Sequence, residues 1–152
     1  FSMGLMRPLS KGTIRLKSSN PKAHPELKYN FFSNSLDEKA MIDGLHKTRE
    51  MASQAAFDGL RTVETSPGPS VMSDKEISSW LRANATTEYH PCSTCRMGNN
   101  ENSVTDTNGL VHETDGLRVV DASIMPGNVT ANLNAPVLMI AEKLADAIKL
   151  LN

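Results

Sequence analysis

The sequence is poor in residues that several common kinds of site require. It contains two cysteines, one tryptophan and two tyrosines among 152 residues. Its 16 basic residues are balanced by 17 acidic ones, so the net charge of −1 indicates no basic surface for nucleic acid. No apolar run approaches the roughly 20 residues that a membrane-spanning helix needs. We therefore expect a globular chain with one core, no transmembrane segment and no nucleic-acid partner.

A glycine-rich phosphate loop is also missing. No Gly-x-Gly-x-x-Gly stretch follows a predicted strand, and such a loop would hold the diphosphate of a dinucleotide cofactor. The stretch from Phe1 to Ser10 lacks the layout of a signal peptide, which favours a cytoplasmic location. We expect the chain by itself to bind no dinucleotide stoichiometrically and to self-associate through exposed apolar surface.

The two cysteines form a C-x-x-C pair, Cys92 and Cys95, directly after His90. This spacing suggests zinc or redox chemistry. Structural zinc needs four ligands, however, and the remaining histidines stand singly, at His24, His46 and His112. A redox pair is expected to begin a helix, whereas this one lies in a loop of proline, serine and threonine. We predict no metal site, and a metal-binding domain is the alternative.

Two stretches near the N-terminus alternate apolar and polar residues, as half-buried strands do. They are Lys11 to Lys17 and Leu27 to Phe31, and the prolines Pro21 and Pro25 lie in the segment between them. Proline cannot donate to a strand ladder, so this segment is predicted to be a loop. The pattern therefore predicts an antiparallel pair of half-buried strands.

Two capping-box patterns predict helices in the middle of the chain. Ser35 and Glu38 precede a helical repeat of apolar residues that predicts a helix into the mid-fifties. Ser73 and Glu76 precede a shorter repeat that places the single tryptophan, Trp80, on the buried face. We therefore expect Trp80 to belong to the core and not to contact a substrate.

Near the C-terminus, a short apolar run predicts a strand and a long repeat predicts a helix. The run Leu117 to Val120 ends abruptly at Asp121, and the ends of buried strands are common ligand sites. Asn134 suits a helix cap and Pro136 suits the first turn that follows. The helix is predicted to reach the end of the chain with an apolar face of Val137, Ile140, Leu144, Ala147, Ile148 and Leu151.

Two groups of polar residues are candidates for chemistry. His90 lies in a loop bounded by proline and glycine, where an imidazole can accept a proton from an alcohol near neutral pH. Asn132 and Asn134 flank a helix start, where an amide can donate to a substrate oxygen and the helix dipole stabilises negative charge. The alternatives are a histidine with a local hydrogen bond and an asparagine that caps the helix.

Five motifs follow one another along the chain, namely Arg7-Pro8-x-Ser10-x-Gly12, Asn20-Pro21, His90-Pro91-x-x-Thr94-Cys95-Arg96-Met97-Gly98, Gly116-Leu117-Arg118-Val119-Val120-Asp121-Ala122-Ser123-Ile124-Met125-Pro126 and Asn134-Ala135-Pro136-x-x-Met139-Ile140-Ala141-Glu142-Lys143. In this order they resemble the C-terminal half of the glucose/methanol/choline (GMC) oxidoreductases, most closely their choline dehydrogenase branch. Ser93 differs from the glycine that many relatives carry.

The resemblance implies an α+β fold in one C-terminal domain. Residues 1–115 would form mainly the substrate-binding part, an antiparallel sheet with packed helices. Residues 116–152 would supply a strand, a loop and a helix that complete an FAD site. The partners implied are a small-molecule alcohol and an N-terminal FAD-binding half that this sequence does not contain.

The resemblance also implies a reaction, the hydride transfer from a primary alcohol such as choline to FAD. His90 would be the base or hydrogen-bond acceptor, and Asn132 would orient the alcohol. The cofactor would lie by Asp121, Ala122, Asn134, Ala135 and Pro136. We expect activity in the parent enzyme and not in this chain alone, with peripheral membrane association of the parent as an open alternative. The competing interpretation is a non-catalytic module that binds a substrate or a partner.

Overall fold

The computed structural model describes residues 1–150 and confirms the α+β class. Its elements are β1 (Thr13–Arg15), β2 (Glu26–Lys28), α1 (Ser35–Ala52), α2 (Asp74–Asn84) and α3 (Asn134–Lys149), with 3₁₀ turns at Ala55–Phe57 and Ala122–Ile124. The chain divides into two compact units, the first from Phe1 to Glu88 and the second from Tyr89 onward. The functional division predicted between residues 115 and 116 stays a prediction. Within residues 1–150, no helix is long and apolar enough to span a membrane.

The predicted strands of the first unit form an antiparallel pair that is shorter and more exposed than expected. β1 pairs with β2 so that Ile14 lies opposite Leu27. Every residue of β1 is exposed, and the side chains of Ile14 and Leu27 are 48% and 54% exposed. The prediction that one face of these strands would be buried was therefore wrong. Alternation specifies two faces for a strand, but burial requires a second layer to cover one of them.

The two helices of the first unit pack around a core of Phe32, Leu45, Ile77 and Leu81. Trp80 is partly buried against this core, which confirms the expectation that it serves packing. Glu38 of α1 accepts hydrogen bonds from Arg82 Nε at 2.8 Å and Ser78 Oγ at 2.6 Å, both on α2. The hydrogen bond from Arg82 is the main reason why the pKa of Glu38 is lowered.

One predicted capping box is confirmed and the other was wrong. Ser73 and Glu76 exchange the expected hydrogen bonds at the start of α2. At α1, however, the cap is Asn34, whose side chain accepts from the N–H of Leu36 at 2.9 Å. Ser35 is instead the first helical residue, and Glu38 is drawn away to α2.

The second unit has its own core, built by α3, the 3₁₀ turn Ala122–Ile124 and the segment between them. The buried residues are Ile124, Met125, Leu133, Ile140 and Leu144. The prediction of a strand from Leu117 to Val120 was wrong, because in this run Arg118 forms only an isolated antiparallel bridge with Leu110. The neighbouring segment is too short to extend this pairing into a ladder. Leu151, predicted on the apolar face of α3, lies outside the described residues.

Candidate functional site

His90 lies in a loop whose far end is held against the 3₁₀ turn of the second unit. The backbone N–H of Cys95 donates to Ser123 O at 2.9 Å, and that of Met97 donates to Ile124 O at 2.8 Å. Ile124 is completely buried, so these bonds fix the loop to the core. Sequence separation alone would not have shown that this loop and this turn are neighbours.

An open concavity of about 370 Å³ lies beside His90. Three residues predicted for the site share it, namely His90, Ala122 and Asn134. The other residues that line it are Tyr89, Pro91, Leu133 and Val137. The structure therefore brings together one predicted catalytic residue and two predicted cofactor residues from three separate segments of the chain.

The remaining predicted residues lie outside the lining of this concavity. The side chain of Asn132 is exposed one residue before the buried Leu133. Ala135 and Pro136 follow in the first turn of α3. Oδ1 of Asp121 accepts hydrogen bonds from the backbone N–H of Ser123, at 2.8 Å, and from the Ser123 hydroxyl. Asp121 thereby caps the 3₁₀ turn Ala122–Ile124.

The start of α3 differs from what the sequence predicts. Leu133, and not Asn134, occupies the N-cap position, and it makes no side-chain capping bond. Leu133 is 6% exposed, so the residue at the N-cap position belongs to the core. No acidic residue occurs in the first turn. The backbone N–H groups of Asn134 and Ala135, which a helix leaves without an intrahelical partner, therefore lie at the positive end of the helix dipole.

The lining of the concavity is mainly apolar and contains no carboxylate among the described residues. Tyr89 and Leu133 were not predicted as site residues. Tyr89 is 82% exposed and directly precedes His90, which is the one sequence signal that could have pointed to it. Leu133 could not have been found from its sequence context, because a buried leucine lines a site only through the packing around it.

Both cysteines are free and partly buried. The thiol of Cys92 donates a hydrogen bond to Oδ1 of Asn128 and lies 3.1 Å from the hydroxyl of Ser93. Within residues 1–150, no three His, Cys, Asp or Glu side chains are grouped so that they could hold a metal ion. The Cys92 thiol is therefore engaged by neutral polar groups of its own unit.

Comparisons with known proteins agree on one family. The sequence model described as GMC oxidoreductase matches residues 8–141. The oxygen-dependent choline dehydrogenase of Chromohalobacter salexigens is 48% identical over 147 residues, which cover 97% of this chain and 26% of that protein. The chain thus spans about a quarter of the length of such curated relatives.

Solved structures show the same relationship. A formate oxidase of Aspergillus oryzae RIB40, studied for the modification of its FAD, is 33% identical with a TM-score of 0.88. That match covers 95% of this chain and 26% of the oxidase. A fungal aryl-alcohol oxidase is 34% identical with a TM-score of 0.83, over 93% of this chain and 24% of its own length.

Proposed function

Because this chain belongs to the GMC oxidoreductase family, we propose that it forms the substrate- and flavin-facing part of an FAD-dependent enzyme that oxidises CH–OH groups. The observation that carries this proposal is the shared concavity of His90, Ala122 and Asn134 at the start of α3. An imidazole and a polarised helix terminus thus lie at the same small site. The matching relatives are about four times longer, so the remainder of the FAD site would come from sequence outside this chain.

The residues of this site fit a flavin. The side chains of Ala122 and Ala135 are small, which leaves room for a flat ring near the backbone. The first turn of α3 has neither a capping side chain nor an acidic residue that would compete for its N–H groups. These groups would stabilise negative charge on a ring placed against them. Asn134, Ala135 and Pro136 are therefore proposed to hold the flavin.

Asp121 and Ala122 are proposed to serve the phosphate and ribityl part of the cofactor. Oδ1 of Asp121 is already used within the 3₁₀ turn, where it accepts from Ser123. A carboxylate beside a phosphate would be repelled, so Asp121 is expected to act mainly by fixing the backbone of this turn. Its neighbour Ala122 lines the concavity and keeps the approach open.

His90 is proposed to take the proton of the alcohol hydroxyl. The chemistry that FAD supplies when bound is the acceptance of hydride from the carbinol carbon. Loss of the hydroxyl proton to His90 and of hydride from carbon together leave an aldehyde, so protons and electrons balance. His90 is exposed to the concavity, and an imidazole is a suitable proton acceptor near neutral pH.

Asn132 is proposed to orient the alcohol through its amide. Its side chain is exposed beside Leu133 but does not line the concavity, whereas Asn134 does. The two amides are therefore rivals for this role, and Asn132→Ala compared with Asn134→Ala in the complete enzyme separates them. A larger loss of alcohol oxidation in Asn132→Ala supports the role proposed for Asn132.

The first substrate that we propose is choline or a similar primary alcohol. The support is the 48% identity to a protein named oxygen-dependent choline dehydrogenase, together with the exposed ring of Tyr89 beside His90. An aromatic face can attract a quaternary ammonium group. Trp80 is given no part in this recognition, because its side chain packs against the core of the first unit. The cytoplasmic location expected from the sequence stays a prediction.

The test is anaerobic mixing of the full-length flavoenzyme with candidate alcohols. Choline is expected to bleach the flavin absorbance, with one aldehyde formed for each flavin reduced. Reduction by other primary alcohols but not by choline would correct the substrate. Failure of every primary alcohol to reduce a bound flavin would reject the proposed function and favour a non-catalytic binding module.

A further inference from the structure

The loop from His90 to Thr94 has one polar attachment to the rest of its unit. In the part of the chain that the structure describes, hydrogen bonds of this loop are made only through Cys92. Its thiol donates to Asn128 Oδ1, and a contact inside the loop joins it to Ser93 Oγ. The backbone bonds to the 3₁₀ turn begin only at Cys95. The attachment of Cys92 is thus the polar contact nearest to His90, within residues 90–94, that reaches another segment of the unit.

The backbone of this loop needs such an attachment. Tyr89 has φ of 60° and Ser93 has φ of 71°, so residues in the left-handed region lie on both sides of His90. A side chain with a Cβ atom adopts this region at a cost, and it stays there only if surrounding contacts hold it. The Cys92 side chain supplies such contacts, since it also packs against the buried core of the second unit.

Asn128, which accepts the hydrogen bond of Cys92, lies 36 positions further along the chain. It belongs to the segment that leads from the 3₁₀ turn Ala122–Ile124 to the start of α3. This segment includes the buried Leu133, which lines the concavity together with Asn134. The hydrogen bond from Cys92 to Asn128 therefore ties the His90 loop to the segment that carries the helix terminus.

We propose that Cys92 is a positioning residue, whose hydrogen bond to Asn128 sets where the imidazole of His90 lies relative to the start of α3. The inference rests on the proposed function only in so far as His90 is the proton acceptor. The thiol takes no part in the reaction itself. Its contribution is geometric, because proton transfer requires the acceptor within hydrogen-bond reach of the alcohol.

The chain offers variants that separate this role from simple packing. Cys92→Ala removes the donor, while Cys92→Ser keeps a donor of nearly the same size. Asn128→Leu removes the acceptor with little change of volume, while Asn128→Asp keeps an acceptor oxygen. Cys95→Ala is the matched control, because Cys95 is the other partly buried free thiol and its bonds to Ser123 and Thr105 use backbone atoms.

The first measurement uses this chain and does not depend on activity. Nuclear magnetic resonance would follow the His90 ring and the amide exchange of Cys95 and Met97, whose N–H groups donate to Ser123 O and Ile124 O where the loop meets the 3₁₀ turn. Loss of a hydrogen bond predicts exchange at least about fivefold faster and a shifted His90 ring signal in Cys92→Ala and Asn128→Leu. The double variant should match either single variant, and Cys92→Ser, Asn128→Asp and Cys95→Ala should resemble the unmodified chain.

The second measurement uses the complete flavoenzyme. Cys92→Ala is expected to lower the flavin-reduction rate about tenfold with little change in alcohol binding, and Cys92→Ser should restore it. Unchanged amide exchange and His90 signals in Cys92→Ala, or failure of Cys92→Ser to restore them, would overturn the positioning role. A different result separates the two proposals. If His90→Ala kept full activity while Cys92→Ala and Asn128→Leu still changed the His90 ring signal and the amide exchange, the proposed function would fail and the Cys92 attachment would stand.

Discussion

The buried carboxylate of Asp37 accepts a hydrogen bond of 2.7 Å from the backbone N–H of Ser10. It also accepts one of 2.9 Å from the N–H of Leu9, so it holds the N-terminal segment against α1. Burial by itself raises the pKa of Asp37, but the bonds from Leu9 and Ser10 together lower it below its ordinary value of 3.8. The ionised form is therefore the one that the fold stabilises.

This relationship predicts how the stability of the first unit depends on pH. A carboxylate with a lowered folded pKa contributes stability above its unfolded pKa and loses it as pH falls through the folded pKa. Asp37→Asn should therefore lower the free energy of unfolding by about 1 to 3 kcal/mol at pH 7. The difference from the unmodified chain should shrink below pH 3.8. Urea unfolding at several pH values measures it.

The control for this prediction is Asp43→Asn on the same helix. Asp43 pairs with Lys39 on the surface, and its side chain is 51% exposed. An exposed pair of this kind adds little to stability, so Asp43→Asn should cost much less than Asp37→Asn. Equal losses from the two variants at pH 7 would show that the bonds of Asp37 to Leu9 and Ser10 are not special.

The start of α1 gives a second prediction. Asn34 accepts from the N–H of Leu36, whereas Ser35 is the first residue of the helix. Asn34→Ala should cost about 1 kcal/mol of stability, and Ser35→Ala should cost a few tenths at most. Thermal unfolding of the two variants distinguishes the structure from the sequence pattern. A larger loss of stability in Ser35→Ala than in Asn34→Ala would show that Ser35 caps the helix.

The starts of α1 and α2 show which helix caps can be predicted from the sequence. The capping box of Ser73 and Glu76 was predicted correctly because both partners are local, and the further hydrogen bond that Glu76 accepts, from the N–H of Met72, is local as well. The same pattern failed at Ser35 because Glu38 pairs with Arg82, which lies 44 positions away. Two good capping residues in a row, Asn34 and Ser35, cannot be ranked without that distant contact.

The site was predicted to a similar extent. His90 and Asn134 were singled out from their loop and helix-start contexts and Ala122 through the resemblance, and the structure places the three around one concavity, while their roles stay predictions. Tyr89 and Leu133 were missed because membership of a concavity depends on packing between distant segments. The failed strand at Leu117 to Val120 has the same origin, since an apolar run does not specify its neighbours in a sheet.

A third prediction concerns Ser93, where φ of 71° favours glycine. Ser93→Gly should raise the free energy of unfolding of the second unit by up to about 1 kcal/mol, because glycine adopts this conformation without strain. Ser93→Val should lower it by about 1 kcal/mol or more, because β-branched side chains fit this region poorly. Urea unfolding provides the comparison.

Thr94→Gly is the matched control for Ser93. Thr94 is exposed and is not among the residues with positive φ. Glycine there only adds freedom to the unfolded chain, so Thr94→Gly should lower the stability by a few tenths to about 1 kcal/mol. Stabilisation by both glycine variants would point to a cause other than the left-handed backbone at Ser93.

The measurement that tests the account most directly is anaerobic stopped-flow reduction of the flavin in the full-length enzyme with His90→Ala. Loss of a positioned proton acceptor should slow reduction by roughly 10² to 10⁴-fold while flavin remains bound. Asn132→Ala should cost less, because an amide orients the alcohol without accepting its proton. Cys95→Ser should stay within about tenfold, because no thiol takes part in the proposed hydride transfer. A His90→Ala enzyme that reduces its flavin at the unmodified rate would contradict the proposed role of His90.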